Sequence, residues 1–365
     1  MSALKKIYFD VIDSVKGGSG KSTFSLLLAA YYATKPDTSA YILDLDLCGT
    51  SWELNYSDYL KPIDGSSVQG PSRSKVHYIN DFMYDTAIAS AQSPFVSFQT
   101  RFLDENDEKA TVFLCMGKPG FSREIDELEN ELFENAVFHL IDRIISQEVS
   151  TDQKNVHIIF DMPPGYEVHA EQVVKHLLLD INSPLEKNVL KNSGIYECCE
   201  PYIMNLYMIS SLSPAHINLN LSYVYNLMNG IGFSQNLSQL AEKTTHGGSR
   251  RFNLKFIGND PLHMLSERGE MSQKDSVSSS KLAITQYTIR QMESASYGKN
   301  VVLKRVMDEM NKCWEKDKPF CILPDMDFSI EREKMLNPSP SNQDFINLPI
   351  SLTDFEPLIQ SDNLS

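Results

Sequence analysis

One stretch, Lys16-Gly17-Gly18-Ser19-Gly20-Lys21-Ser22-Thr23, gathers three glycines, two lysines and adjacent hydroxyls. That set suits a polyphosphate. Glycines let the backbone wrap closely and turn several N–H groups inward, and the positive end of a helix beginning at Lys21 adds to the pull on an anion. Lys21 would reach the β- and γ-phosphates of ATP, the Ser22 hydroxyl would ligate Mg²⁺, and Thr23 can donate to the α-phosphate. Gly17, Gly18, Ser19 and Gly20 would supply the cradle. A glycine-rich turn that merely joins a strand to a helix is the bland alternative, but such a turn does not call for Gly-Lys-Ser-Thr at the helix start.

Two acidic segments could complete the chemistry. Asp44-Leu45-Asp46 closes an apolar run and leads into Leu47-Cys48-Gly49-Thr50-Ser51. Val156–Phe160 is followed by Asp161-Met162-Pro163-Pro164-Gly165. Carboxylates at the C-terminal ends of parallel strands stand beside a phosphate loop, where one can hold a Mg²⁺-bound water and another can orient an attacking water. Asp161 would accept from Mg²⁺-bound water, and Gly165 would free the backbone to approach the γ-phosphate. Acids that cap strand ends and a proline-stiffened turn are the competing readings.

The elements that must position these residues follow from periodicity. Short apolar runs at Ile7–Ile12, Ala40–Leu45, Thr111–Cys115, Val156–Phe160, Met204–Ser210, Asn253–Ile257 and Phe320–Leu323 read as strands. Helical periodicity is clearest at Lys21–Ala33, Glu124–Ser146, His169–Asp180, Pro214–Asn229 and Lys299–Lys316. The alternation predicts an α/β fold: a doubly wound, mostly parallel sheet of about seven strands with helices on both faces. Lys61–Ser74, Ser266–Ser280 and the tail after Leu336 carry neither period and read as loops.

The loop departs from the ordinary G-x-x-x-x-G-K-[ST] pattern, because Val15 stands at the first glycine and Lys16 adds a second lysine. In this form it resembles the deviant Walker A motif, K-G-G-x-G-K-[ST]-T, of the ParA/MinD/Mrp group of P-loop ATPases. The resemblance extends to Asp44–Ser51 as switch I and to Asp161–Gly165 as Walker B and switch II. It implies that Lys16 crosses a dimer interface to phosphates bound by the other subunit, that Asp46 orients the attacking water, and that Asp44 supports the metal from behind. Lys16, Lys21 and Asp46 are thus the implied catalytic residues. Ser22, Asp44 and Asp161 are the implied Mg²⁺ set, the carboxylates acting through water. Cys48 stands where several relatives carry glutamine and Thr50 where proline is frequent, departures that touch hydrolysis more than binding. The segment around Pro324 resembles the last strand of the family, whose following loop lies near adenine, and Asn259 could read the base; a turn-forming role competes for both.

Residues 1–336 read as one ATPase domain with insertions at about 53–110 and 234–300, and 337–365 as an acidic tail whose composition suits partial disorder. The resemblance implies a slow, partner-stimulated ATPase that dimerises around ATP and recruits an activating or cargo protein. A non-hydrolysing ATP-binding scaffold and a carrier of a metal cluster or client protein remain alternatives. For the carrier the C-x-x-C of relatives is missing, and the adjacent Cys198 and Cys199 are poorly placed to share a metal. A net charge of −15 disfavours broad adhesion to DNA or anionic lipid. The longest apolar runs fall well short of the ~20 residues that span a bilayer. With six cysteines in no disulfide-like pattern, a reducing cytoplasm is the expected setting.

Overall fold

The computed structural model describes residues 4–47, 52, 56, 59–63, 78–84, 95–103, 109–117, 127–165, 168–182, 199–200, 202–210, parts of 216–227, 252–258, 321–322, 345–348 and 350–360. The apolar runs form β1 (Lys6–Asp13), β2 (Thr38–Asp44), β5 (Ala110–Cys115), β6 (Asn155–Asp161), β7 (Ile203–Ser210), β8 (Phe252–Gly258) and β9 (Cys321–Ile322). Three further strands, β3 (Lys61–Pro62), β4 (Val96–Arg101) and β10 (Phe345–Asn347), complete a ten-stranded sheet. Its order is β10-β4-β5-β2-β6-β1-β7-β8-β9, with β3 paired to β4.

The seven strands expected from the sequence make up the run from β5 to β9, and every pairing within it is parallel. The other three form one edge, where β4 is antiparallel to both β5 and β3 and parallel to β10. Two stretches outside those seven strands also contribute described elements. The stretch 53–110, read as an insertion, contributes β4 to the sheet itself; its VSFQTR sequence alternates buried and half-buried residues, a period-2 pattern too short and polar to stand out. The tail, read as an acidic segment suited to partial disorder, holds β10 and a helix among its described residues.

The helices are α1 (Lys21–Ala33), α2 (Ile79–Tyr84), α3 (Glu127–Val149), α4 (Val168–Asn182) and α5 (Leu352–Gln360). Described residues between 216 and 227 are also helical, as the Pro214–Asn229 periodicity predicts, whereas Lys299–Lys316 lies outside the described residues. One face of the sheet packs Phe9, Val11, Leu43 and Phe160 against Phe133, Leu140 and Ile144 of α3 and Val173 and Leu177 of α4. The other packs Ile12, Ile42, Ile159 and Ile209 against Phe24, Leu27 and Leu28 of α1, with Phe355 of α5 in the same cluster.

The tail helix is explained by α1. Phe24 to Tyr31 is an unbroken buried run, apolar but for Ser25, and a helix apolar all round must be covered all round. Helix α5 supplies part of that cover. The Phe355 ring lies 6.0 Å from Phe24 and 5.9 Å from Tyr31, and Glu356 accepts from Lys35 at 2.6 Å and from the Tyr31 hydroxyl at 3.3 Å. The Lys255 ammonium donates to the Ile359 carbonyl at 2.8 Å, a cation at a helix C-terminus.

Asp10 interrupts the apolar β1 run yet is fully buried. It is satisfied across the sheet: Asn205 Nδ2 donates to it at 2.6 Å, His157 Nδ1 pairs with its other oxygen at 2.7 Å, and Asn253 Nδ2 donates to Asn205 at 2.9 Å. The ladder joins β6, β1, β7 and β8 side by side, so a polar group in mid-strand fixes register. No helix among the described residues is long and apolar enough to cross a membrane.

Candidate functional site

Strand β1 ends at Asp13, and the chain then passes through Ser14 to Gly20 into α1. Gly18 (φ 70°) and Gly20 (φ 93°) adopt left-handed backbone conformations that a β-carbon would strain. No side chain caps α1, and the Phe24 amide makes its bond to the Gly20 carbonyl at 2.9 Å. A helix start of this kind offers its first-turn amides to an anion. Lys21 is buried at this mouth and Lys16 is exposed. The near side of the loop is pinned by Asn220, whose Oδ1 accepts from the Val15 amide at 3.1 Å while its Nδ2 donates to the Ile209 carbonyl at 3.3 Å.

The acidic segments come to this loop through strand order. Strand β6 lies between β1 and β2, so Asp161 stands opposite Ile12 on one side and Asp44 on the other. The pairing continues one step past the strands, with the Met162 amide on the Ile12 carbonyl at 3.1 Å and the Leu45 amide on the Asp161 carbonyl at 3.0 Å. Gly165 (φ 89°) then brings its amide back to the Ser14 carbonyl at 3.4 Å.

Each acid has a distinct environment. Both Asp44 oxygens take backbone amides, Oδ1 from Asp46 at 3.2 Å and Oδ2 from Gly117 at 3.4 Å. Burial, then the charges of Asp161 and Asp46, raise its carboxyl well above the ordinary range. Asp161 Oδ2 accepts the Trp52 indole N–H at 2.9 Å, and Oδ1 is buried with no hydrogen-bond partner. Burial raises this carboxyl too, opposed by the Ser22 hydroxyl, Lys21 and Trp52. Asp46 is half-buried. Beside it, His169 bonds the Leu45 backbone, and burial lowers its pKa to about 4, leaving a neutral imidazole at pH 7. Asp13, under the loop, is pushed up to about 6 by burial, against the pull of Tyr223, Lys21 and the Ser14 amide.

This donor set fits a magnesium–triphosphate. A buried, unpartnered carboxylate oxygen beside a serine hydroxyl and a lysine wants a cation, and an uncapped glycine-started helix wants an anion. Among the described residues no group of three or more His, Cys, Asp or Glu side chains is arranged to hold a metal alone.

Of the residues singled out in the sequence, Lys16 to Thr23, Asp44, Asp46 and Asp161 are brought to one end of the sheet. Asn259, Pro324, Cys48 and Thr50 lie outside the described residues. So does Cys198, while Cys199 is buried and in no disulfide. Trp52, Gly117, His169 and Asn220 were not legible as site residues. Each acts on a backbone or carboxylate far away in sequence, and none belongs to a spaced motif; only the position of Gly117, just past a strand end, offered a signal.

No family model matches the chain. Among solved structures it is similar to the cell division ATPase MinD of Pyrococcus furiosus, at 12% identity over 84% of this chain and 98% of that one, with a TM-score of 0.34. It is also similar to a plasmid partition protein of Borrelia burgdorferi (12% identity, 86% and 100% covered, TM-score 0.34). A third is a ParA family ATPase of Chlorobium tepidum (13% identity, 83% and 99% covered, TM-score 0.31).

Proposed function

We propose that the chain binds ATP·Mg²⁺ at the 16–23 loop and hydrolyses it slowly, as a switch that dimerises around nucleotide and recruits or positions a partner protein. The observation that carries the reading is Asp161: a buried carboxylate wedged between the phosphate-loop strand and β2, with one oxygen unsatisfied and Ser22 and Lys21 beside it.

ATP·Mg²⁺, when bound, supplies an activated γ-phosphoryl group and a cation that neutralises its charge. The amides from Gly17 to Thr23 would hold the phosphate chain, and Lys21 would set its ammonium against the β- and γ-oxygens. Ser22 would ligate the metal, and Asp161 Oδ1 would accept from a metal-bound water. Asp44, committed to two backbone amides, holds the Asp46 segment in place. Asp46, half-buried at the rim, would orient the attacking water. Lys16, exposed on the same loop, is available to a second copy's phosphates, the role implied by the deviant motif.

The test separates binding from turnover. Lys21→Ala should abolish ATP binding, measured by calorimetry with Mg²⁺. Asp46→Ala should bind normally, lose at least roughly 100-fold in phosphate release, and accumulate as an ATP-bound dimer in light scattering. Undiminished phosphate release by the Asp46→Ala protein would remove the mechanism.

A further inference from the structure

We propose that Trp52 is a positioning residue for the metal-side carboxylate: its indole N–H occupies Asp161 Oδ2 and thereby dedicates Oδ1 to the cation shell. The inference rests on the ATP·Mg²⁺ reading of the site.

Trp52 is 1% exposed, and its Nε1 lies 2.9 Å from Asp161 Oδ2 across 109 residues of sequence. An indole N–H donates and cannot accept. It can therefore neither ligate a metal nor take a proton from the carboxyl, and its one contribution is to fix the carboxylate's rotation and fill one of its oxygens. The other oxygen is buried and without a partner, and the Ser22 hydroxyl and the Lys21 charge both act to hold this carboxyl ionised. A cation approaching from the phosphate loop thus finds one acceptor oxygen already aimed and the other blocked. Groups that orient a ligand in this way are worth roughly 10- to 100-fold in metal affinity.

The indole is itself clamped. Its ring sits 5.6 Å from Tyr56 and 6.3 Å from Phe98 of β4. Strand β4 belongs to the antiparallel edge rather than the parallel core, so the Phe98 contact links that edge to the Trp52 indole. Trp52 also lies six residues beyond Asp46, which ties the segment carrying the water-orienting acid to the strand end carrying Asp161.

Titrating MgCl₂ into full-length protein with a fluorescent ATP analogue reads the effect directly. Trp52→Phe keeps the ring packing and removes the donor. Its half-saturating Mg²⁺ should rise roughly 10- to 100-fold, while analogue binding in EDTA stays at the wild-type value. Phe98→Leu loosens the clamp without removing the N–H, and should lower the thermal midpoint with little change in Mg²⁺ dependence. In a Trp314→Phe background, where Trp52 is the remaining tryptophan, its emission should shift when Mg²⁺ is added to the nucleotide complex. Wild-type Mg²⁺ dependence in Trp52→Phe, an equal shift in Phe98→Leu, or a silent Trp52 emission overturns the proposal. If the wild-type protein itself shows no Mg²⁺-dependent analogue binding, the ATP·Mg²⁺ reading fails, and this inference with it.

Discussion

Gly117, just past the end of β5, shows how tightly the site is held at the scale of single residues. A β-carbon built there would come within 2.8 Å of the Asp46 carbonyl and 3.1 Å of the Asp44 carbonyl, contacts with backbone that cannot swing aside. The same glycine donates its amide to Asp44 Oδ2, so the close approach and the hydrogen bond serve one purpose: to hold the Asp44–Asp46 segment against β5. Gly117→Ala should therefore displace that segment. We expect a stability loss of about 1–3 kcal/mol and a larger loss in phosphate release than in ATP binding, read by thermal melts beside the two assays. Equal losses in both assays would show that the segment does not set the attacking water. The 16–23 loop stood out at this scale, because its glycines, lysines and hydroxyls are contiguous. The residues that tune it were not, since Trp52, His169, Gly117 and Asn220 each act through one long-range contact.

Among the elements, α1 and α5 form the pair on which the loop's stability depends. Lys21 to Thr23 begin α1, and α1 is buried from Phe24 to Tyr31. Phe355, fully buried, fills the space among Phe24, Tyr31 and Phe102. Truncating it removes apolar contact and leaves a cavity against the helix that presents the site. Phe355→Ala should cost about 3–5 kcal/mol, measured by denaturant unfolding, and the destabilised protein should bind ATP more weakly through the unfolded fraction alone. A variant as stable as wild type would mean that α5 merely lies on the surface. The neighbouring Lys35–Glu356 pair is about one-third exposed on each side, so its loss should matter far less than the ring. The tail escaped the sequence reading although eight of the sixteen residues from 345 to 360 are apolar, because Pro349 and Pro357 break them into runs too short to show either period. Phe355 gains its meaning from the α1 face it covers.

Over the whole molecule, the proton balance follows from gathering buried acids at one end of the sheet. Asp13 is pushed from 3.8 up to about 6, and Asp44 and Asp161 are raised as well. A carboxyl that holds its proton more tightly folded than unfolded stabilises the fold fully below its unfolded pKa, and that contribution is lost as pH rises through the folded value. Without nucleotide or metal, stability should therefore fall between about pH 4 and pH 6. Asp13→Asn keeps an oxygen for the Ser14 amide but cannot ionise. It should match wild type near pH 4 and exceed it at pH 7.5 by roughly 1–3 kcal/mol, as read from unfolding midpoints across that range. Parallel profiles for the two proteins would show that Asp13 is not the group responsible.

The sequence by itself determined the parallel core and marked out the 16–23 loop and the acids Asp44, Asp46 and Asp161 as candidates, because period, strand length and contiguous motif are local properties of the chain. Tertiary structure alone decided that β6 inserts between β1 and β2, which brings Asp161 level with both Ile12 and Asp44 across well over a hundred residues. It also decided that β4 and β10 build an antiparallel edge and that α5 closes over α1. Those choices depend on which apolar faces remain uncovered once the core has formed. No window of residues contains that information for α5 on α1 or β10 on β4, since the surface to be covered and the segment that covers it are specified hundreds of residues apart.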